Sequence, residues 1–321
     1  MEEIGVPGAN KIYRLFVAFF IELWKLMTNR YDLCYLAITC HGKGFLKDVP
    51  FVFLCKLFRK KIVIHQHNKG MEKDMLRLPY RWLFPIIYGN SKVILLSERL
   101  FPDIKKIIQK ENVYICPNGI PNVCYDFKER NNGMIHLLFL SNLIESKGVL
   151  FLLDALKSLK DNGFSLICNF VGGESKEIDR NRFEKEVNKR GLDNTAYYRG
   201  PKFGKDKAQY LSDADIFVFP TFYENECFPL VLLEAMQYGL PIVTTDEGGI
   251  PDMVEDRVNG LICDKKNADS LAKCLEELII DKPLRRKMGE AGIMKYKNDY
   301  TLQGFENRLI DILSDCCYGC F

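Results

Sequence analysis

A one-sided charge is what this sequence most plainly lacks. Its 45 Lys and Arg face 42 Asp and Glu, a net charge of +3 over 321 residues. Such a balance offers no electrostatic footprint for nucleic acid. Long apolar runs are missing as well. The most apolar early stretch, Leu15 to Trp24, is interrupted by Glu22 and bounded by Arg14 and Lys25. It falls short of the ~20 residues that a spanning helix needs, and no secretory signal pattern is visible. Internal repeats and low-complexity tracts are also missing. The chain has 12 cysteines, yet they do not form the C-x-x-C…C-x-x-C layout of a zinc site. A chain of this size does not need disulfide staples, so reduced thiols in a cytoplasmic setting are expected. The cluster Cys316, Cys317 and Cys320 reads as a loose end.

What is present is a core. At 47% hydrophobic, 321 residues bury a sizeable interior and suggest two domains. Lys11 to Asn29 reads as a helix, either an apolar core helix or a basic, aromatic one lying on a membrane surface. Tyr31 to Ile38 reads as a buried strand, Val49 to Phe58 as a helix, and Lys61 to Ile64 as a strand. A helix over Lys73 to Tyr88 and strands at Ser91–Leu96 and Val113–Cys116 follow. The polar stretch Lys128 to Gly133 marks a boundary. Beyond it strands and helices alternate: Met134–Leu140, then Lys147–Asp161; Phe164–Val171, then Lys176–Arg190; Ala196–Arg199, then Lys205–Ala214. Asp215–Pro220 precedes another helix, and Pro241–Thr245 and Gly260–Cys263 are the last strands. Three helices close the chain. Such alternation implies parallel sheets covered on both faces.

The stretch that organises this half is TFYENECFPLVLLEAM, Thr221 to Met236. Pro229 suits a first helical turn, so a helix is expected to start near Phe228. Glu226 then lies in the loop leading in, and Glu234 lies inside an apolar helix. A carboxylate there is costly unless something bonds it, be it a ligand, a salt bridge or a backbone amide. Earlier, Ser141-Asn142-Leu143-Ile144-Glu145-Ser146-Lys147-Gly148 follows a strand. A lysine opening a helix at that point is a sound phosphate ligand, though a solvated lysine reads the same way. His65-Gln66-His67 ends the strand Lys61 to Ile64. Parallel sheets bind ligands at the carboxyl ends of their strands. Loop histidines without a ligand are the alternative, and no third residue in register supports zinc. Asp213-Ala214-Asp215 has a metal-clamp spacing but runs from a helix end into a strand, where capping or turning is the better reading.

The E-x-F-P-x-x-x-x-E spacing followed by Ala235-Met236, and then GLPIVTTDEGGIPDMVEDRVNGLI (Gly239 to Ile262), resembles the retaining glycosyltransferase family 4 type. The resemblance implies a GT-B architecture, α/β with two facing Rossmann-like domains. The domains would be 1–127 on the acceptor side and 134–300 for the nucleotide sugar, with 301–321 crossing back. It assigns Glu226 to the transferred sugar and Glu234 to the ribose. Lys147 and Asn142 go to the pyrophosphate, with Asn142 standing where the family has arginine. The amides near Phe228 and Leu230 meet the same phosphates, although Pro229 removes one donor. Gly200-Pro201-Lys202 lies where the family contacts the base. His67 is set beside the reacting sugar. The partners implied are a nucleotide-sugar donor and a glycan or lipid-linked acceptor, with no metal or other cofactor. Nucleic acid is excluded, and a peripheral membrane contact through the N-terminal domain is compatible. A donor-binding scaffold without turnover and a nucleotide-sugar epimerase are the alternatives. Family members open with a strand, a glycine-rich turn and a helix. Here the first convincing strand is Tyr31 to Ile38, so an incomplete N-terminal domain with an exposed sheet edge is expected.

Overall fold

In the computed structural model, residues 11–123 and 134–319 are described. The chain divides into two compact units, Met1–Cys116 with Asn307–Phe321, and Pro117–Glu306. The expected boundary at 128–133 lies outside the described residues.

The smaller unit contains α1 (Lys11–Thr28), β1 (Leu33–Ile38), α2 (Gly42–Leu57), β2 (Lys61–Gln66), α3 (Met71–Asp74), α4 (Tyr80–Tyr88), β3 (Lys92–Leu95) and β4 (Val113–Ile115). Its strands form one parallel sheet in the order β1-β2-β3-β4. Ile62, Val63 and Ile64 of β2 and Val93, Ile94 and Leu95 of β3 are fully buried, as parallel strands covered on both faces must be. β2 runs two residues further than the sequence suggests and takes in His65 and Gln66. The helix expected over Lys73 to Tyr88 is broken. Pro79 has no N–H and disfavours helical backbone at Leu78, so α3 ends early and α4 starts at Tyr80. Helix α1 buries Leu26 but leaves Tyr13, Phe16, Phe20, Trp24 and Met27 exposed. Among the described residues no helix is long and apolar enough to cross a membrane.

The larger unit alternates β5 (Ile135–Leu140), α5 (Val149–Asp161), β6 (Leu166–Val171), α6 (Arg180–Lys189), β7 (Ala196–Gly200), α7 (Gly204–Asp213), β8 (Ile216–Phe219), α8 (Leu230–Gln237), β9 (Ile242–Thr244), α9 (Ile250–Met253) and β10 (Gly260–Ile262). Then come α10 (Ala268–Ile280), α11 (Lys282–Asp299) and α12 (Leu302–Tyr318), the last passing into the smaller unit at Asn307. The sheet is parallel, in the order β10-β9-β8-β5-β6-β7. Phe139, Phe170, Phe217 and Phe219 are among the largest fully buried side chains, and the Phe139 ring meets those of Phe170 and Phe219 at 5.3 and 6.4 Å. From β5 the order runs one way through β6 and β7 and the other way through β8, β9 and β10. The strand order therefore reverses between β5 and β8. In open α/β sheets ligands bind at such a switch point, outside the carboxyl ends of the strands.

Candidate functional site

Two loops leave the switch point. The loop after β5 carries Lys147 at the end of a single 3₁₀ turn, Glu145–Lys147. It does not open a longer helix as the sequence suggested, because Gly148 takes up left-handed backbone, φ +84°. Only glycine fits there: a Cβ would lie 2.2 Å from the Pro220 carbonyl oxygen at the end of β8. The two loops are thereby pressed together.

The loop after β8 carries Glu226. Its Oε2 lies 2.5 Å from Lys147 Nζ, with the two side chains 10% and 14% exposed. Thr221 Oγ1 lies 3.3 Å from the same carboxylate oxygen. Lys147 Nζ also stands 4.6 Å from the centre of the Tyr223 ring and 5.4 Å from that of Phe219. Behind Glu226, Gly248 (φ +56°) comes so close that a Cβ would lie 2.1 Å from the Glu226 carbonyl oxygen, and the Gly249 amide donates to the Cys227 carbonyl at 2.8 Å. Glycines on both sides thus fix the backbone of a charge pair whose partners are 79 residues apart.

Helix α8 begins at Leu230, two residues later than expected, with Pro229 outside it as the cap residue. Phe228 is buried and meets Tyr300 edge to face at 5.7 Å. Leu230 is exposed at the helix start, where the first amides have no intrahelical acceptor. Glu234 Oε1 accepts from Lys207 Nζ of α7 at 2.6 Å. Its Oε2 is buried and has no hydrogen-bond partner. Glu234 lines a cavity of about 480 Å³ with Ile120, Val123, Lys207, Leu211 and Tyr238. Asn142, after β5, accepts from the Gly173 amide through Oδ1 at 3.0 Å and so ties down the loop after β6. Asp215 Oδ2 accepts from the His136 amide at 2.8 Å, which makes it a strand anchor.

The smaller unit carries His67 at the carboxyl end of β2. Solvent reaches its ring, yet desolvation by the groups packed behind it holds its pKa below the usual histidine value. Its ring centre is 4.1 Å from that of His65. His65 is fully buried, with Nδ1 2.6 Å from the Tyr35 hydroxyl. Burial, with the neighbouring His67 second, lowers its pKa to about 3.

The structure therefore brings Lys147 and Glu226 together, sets Asn142 on the same loop as Lys147, and gives Glu234 a separate lysine. Sequence reasoning missed Lys207, Thr221 and Tyr223. Thr221 and Tyr223 stand inside the motif that was singled out, whereas nothing local marks Lys207.

A parallel α/β unit with ligand-facing loops at its switch point defines a broad class of nucleotide- and phosphate-binding domains. Within that class the chain belongs to the glycosyl transferases group 1 family, whose model matches residues 126–295, more than half of its length. It is 24% identical over 247 residues to the amylovoran biosynthesis glycosyltransferase AmsK of Erwinia amylovora, covering 74% of this chain and 58% of that protein. The chain thus spans little more than half the length of such curated relatives, 58% and 56% for two of them. Among solved structures, a glycosyltransferase from Rickettsia africae superposes with a TM-score of 0.77 at 17% identity, over 99% of this chain and 85% of that one. Anabaena HepE, solved in complex with UDP, superposes with a TM-score of 0.76 at 18% identity, over 94% and 82%. These likenesses establish the GT-B fold.

Proposed function

We propose that this chain transfers a sugar from a nucleotide-diphosphate donor to a hydroxyl of a glycan or lipid-linked acceptor, with retention of anomeric configuration. The observation that carries the reading is Glu234. A buried carboxylate oxygen without a partner is costly, and ribose hydroxyls are donors suited to satisfying it. The adjoining cavity, with Leu211 and Tyr238 in its wall, gives a flat base an apolar seat. The named functions of the relatives, two of them in amylovoran and colanic acid biosynthesis, support a glycan product.

In this reading Lys147 leaves Glu226 for the diphosphate once the donor arrives, and Glu226 turns to the sugar hydroxyls. One C1–O bond breaks to release the nucleoside diphosphate, another forms to the acceptor oxygen, and the acceptor's hydroxyl proton passes to the departing diphosphate. The charge on the departing diphosphate is met by Lys147 and by the first amides of α8, aligned with the helix dipole. Asn142 holds the phosphate loop in place, and His67 is assigned to the sugar being transferred. No metal is assigned a role, and turnover is expected to survive EDTA.

The test is titration calorimetry of UDP, GDP and ADP against the wild-type chain and Glu234→Gln, followed by product analysis with the donor so identified. At least one nucleotide should bind the wild type, and the variant should bind it roughly 10- to 150-fold more weakly, the worth of one charged hydrogen bond. Equal affinity in the two proteins would remove Glu234 from the site. A β-linked product from an α-linked donor would overturn retention.

A further inference from the structure

Lys207, on α7, has no part yet in that reading. Its Nζ donates to Glu234 Oε1 at 2.6 Å, and the two side chains are 31% and 21% exposed. Glu234 Oε2 is buried and has no hydrogen-bond partner. The carboxylate therefore has one oxygen taken and one open. An ion pair kept for stability alone satisfies both, because a bare buried acceptor costs free energy.

The surroundings hold this asymmetry in place. Lys207 and Glu234 both line the cavity of about 480 Å³, and among the described residues that line it Glu234 is the one acid. Lys207 has no other carboxylate in the cavity wall to turn to. Helices α7 and α8 form two sides of the cavity, and Ile120 and Pro121 form part of a third. That third side is tied down. Gln237 Nε2 donates to the Pro121 carbonyl at 2.6 Å, and the Tyr296 hydroxyl donates to the Ile120 carbonyl at 2.9 Å.

Ribose brings two neighbouring hydroxyls, 2′ and 3′, and no charge. A neutral ligand has little with which to draw an ammonium off a carboxylate, in contrast to the diphosphate that faces Lys147. Lys207 therefore keeps its oxygen when the nucleotide arrives. An ammonium is a donor only, so it offers no acceptor to the second hydroxyl.

We infer, on the ribose reading of Glu234, that Lys207 is a specificity-determining residue. It leaves Glu234 one open oxygen, so the pocket reads one ribose hydroxyl strongly and the other weakly. Without Lys207 both carboxylate oxygens face the ribose, and the carboxylate takes one hydroxyl on each.

The experiment is titration calorimetry with whichever of UDP, GDP and ADP binds the wild type, and with the 2′-deoxy and 3′-deoxy forms of that nucleotide. In the wild type one deoxy form should bind roughly 10- to 150-fold more weakly than the ribonucleotide, the loss of one charge-assisted hydrogen bond. The other should stay within a few-fold of it. Lys207→Met should bring the two deoxy forms to equal affinity. Lys207→Arg, which keeps the cation, should preserve the difference. Glu234→Gln, whose amide turns its oxygen toward Lys207, should bind all three nucleotides alike. Circular dichroism melts confirm that each variant is folded. Equal losses for both deoxy forms in the wild type would overturn the role of Lys207 and leave the ribose reading standing. A difference that persists in Lys207→Met would overturn it too. Deoxy forms that bind the wild type as tightly as the ribonucleotide would instead remove the ribose reading, and the role of Lys207 with it. So would failure of all three ribonucleotides to bind.

Discussion

Lys147 and Glu226 form an ion pair in which neither side chain is more than 14% exposed. An ion pair so withdrawn from water is costly to halve. Lys147→Met should destabilise the larger unit by about 3–5 kcal/mol, since it strands the Glu226 carboxylate. Lys147→Met with Glu226→Gln should recover most of that loss and none of the donor affinity. Urea denaturation and nucleotide titration of the two variants check both halves of the statement. Equal stability of wild type and Lys147→Met would show the pair to be uncoupled.

Gly148 is expected to be intolerant for two separable reasons. Its left-handed backbone strains any L residue, and a Cβ meets the Pro220 carbonyl. Gly163 shares the first feature (φ +87°) but has open space around it. Gly163→Ala should cost about 1 kcal/mol. Gly148→Ala should cost distinctly more and also weaken donor binding, because Lys147 is the preceding residue. Thermal melts of the two variants side by side measure the difference.

His67→Ala should lower kcat by roughly 10²- to 10³-fold, the range for removing one oriented polar group from a transfer site. Nucleoside diphosphate affinity should stay as it was, since every residue assigned to the nucleotide lies in the other unit. A change in nucleotide affinity with kcat preserved would reassign the residue.

His65 gives the smaller unit an acid weakness. Its pKa is about 3 in the folded chain, against an ordinary value of 6.5. Above pH 6.5 both states carry a neutral ring and the group is silent. Below it the unfolded chain takes up a proton that the folded chain refuses, so stability falls as pH drops toward 3, by at most about 1.4 kcal/mol per pH unit. His65→Gln should flatten that dependence between pH 6.5 and 4 in denaturant titrations. An unchanged slope would place the acid sensitivity elsewhere.

The alternation of strands and helices was readable because parallel strands are apolar throughout and helices carry their own period. Pro79 and Gly148 were readable too, yet the helices were drawn through both. Each breaks backbone geometry locally, and periodicity does not report that. The loop motif placed Glu226 and Lys147 correctly at strand ends. Their pairing was not legible, because it depends on β5 and β8 being neighbours in the sheet, a fact of topology. The same holds for Lys207, whose partner Glu234 lies on the next helix but one strand away. His65 shows a different limit: its burial follows from β2 extending two residues beyond its apolar run, and a histidine at a strand end looks the same on paper whether it faces solvent or core.

Helix α12 starts in one unit and ends in the other, so the smaller unit is assembled from two stretches far apart in sequence. Its closing contacts, Lys61 Nζ donating to the Cys317 carbonyl at 2.8 Å and Tyr114 bonded to Asp315, join residues made early to residues made much later. On a ribosome adding about 5–20 residues per second, the sheet of the smaller unit waits roughly 10–40 s for α12 to emerge. During that wait the larger unit, contiguous in sequence, is free to fold first. The order of synthesis leaves the nascent β1–β4 sheet without α12 throughout that interval.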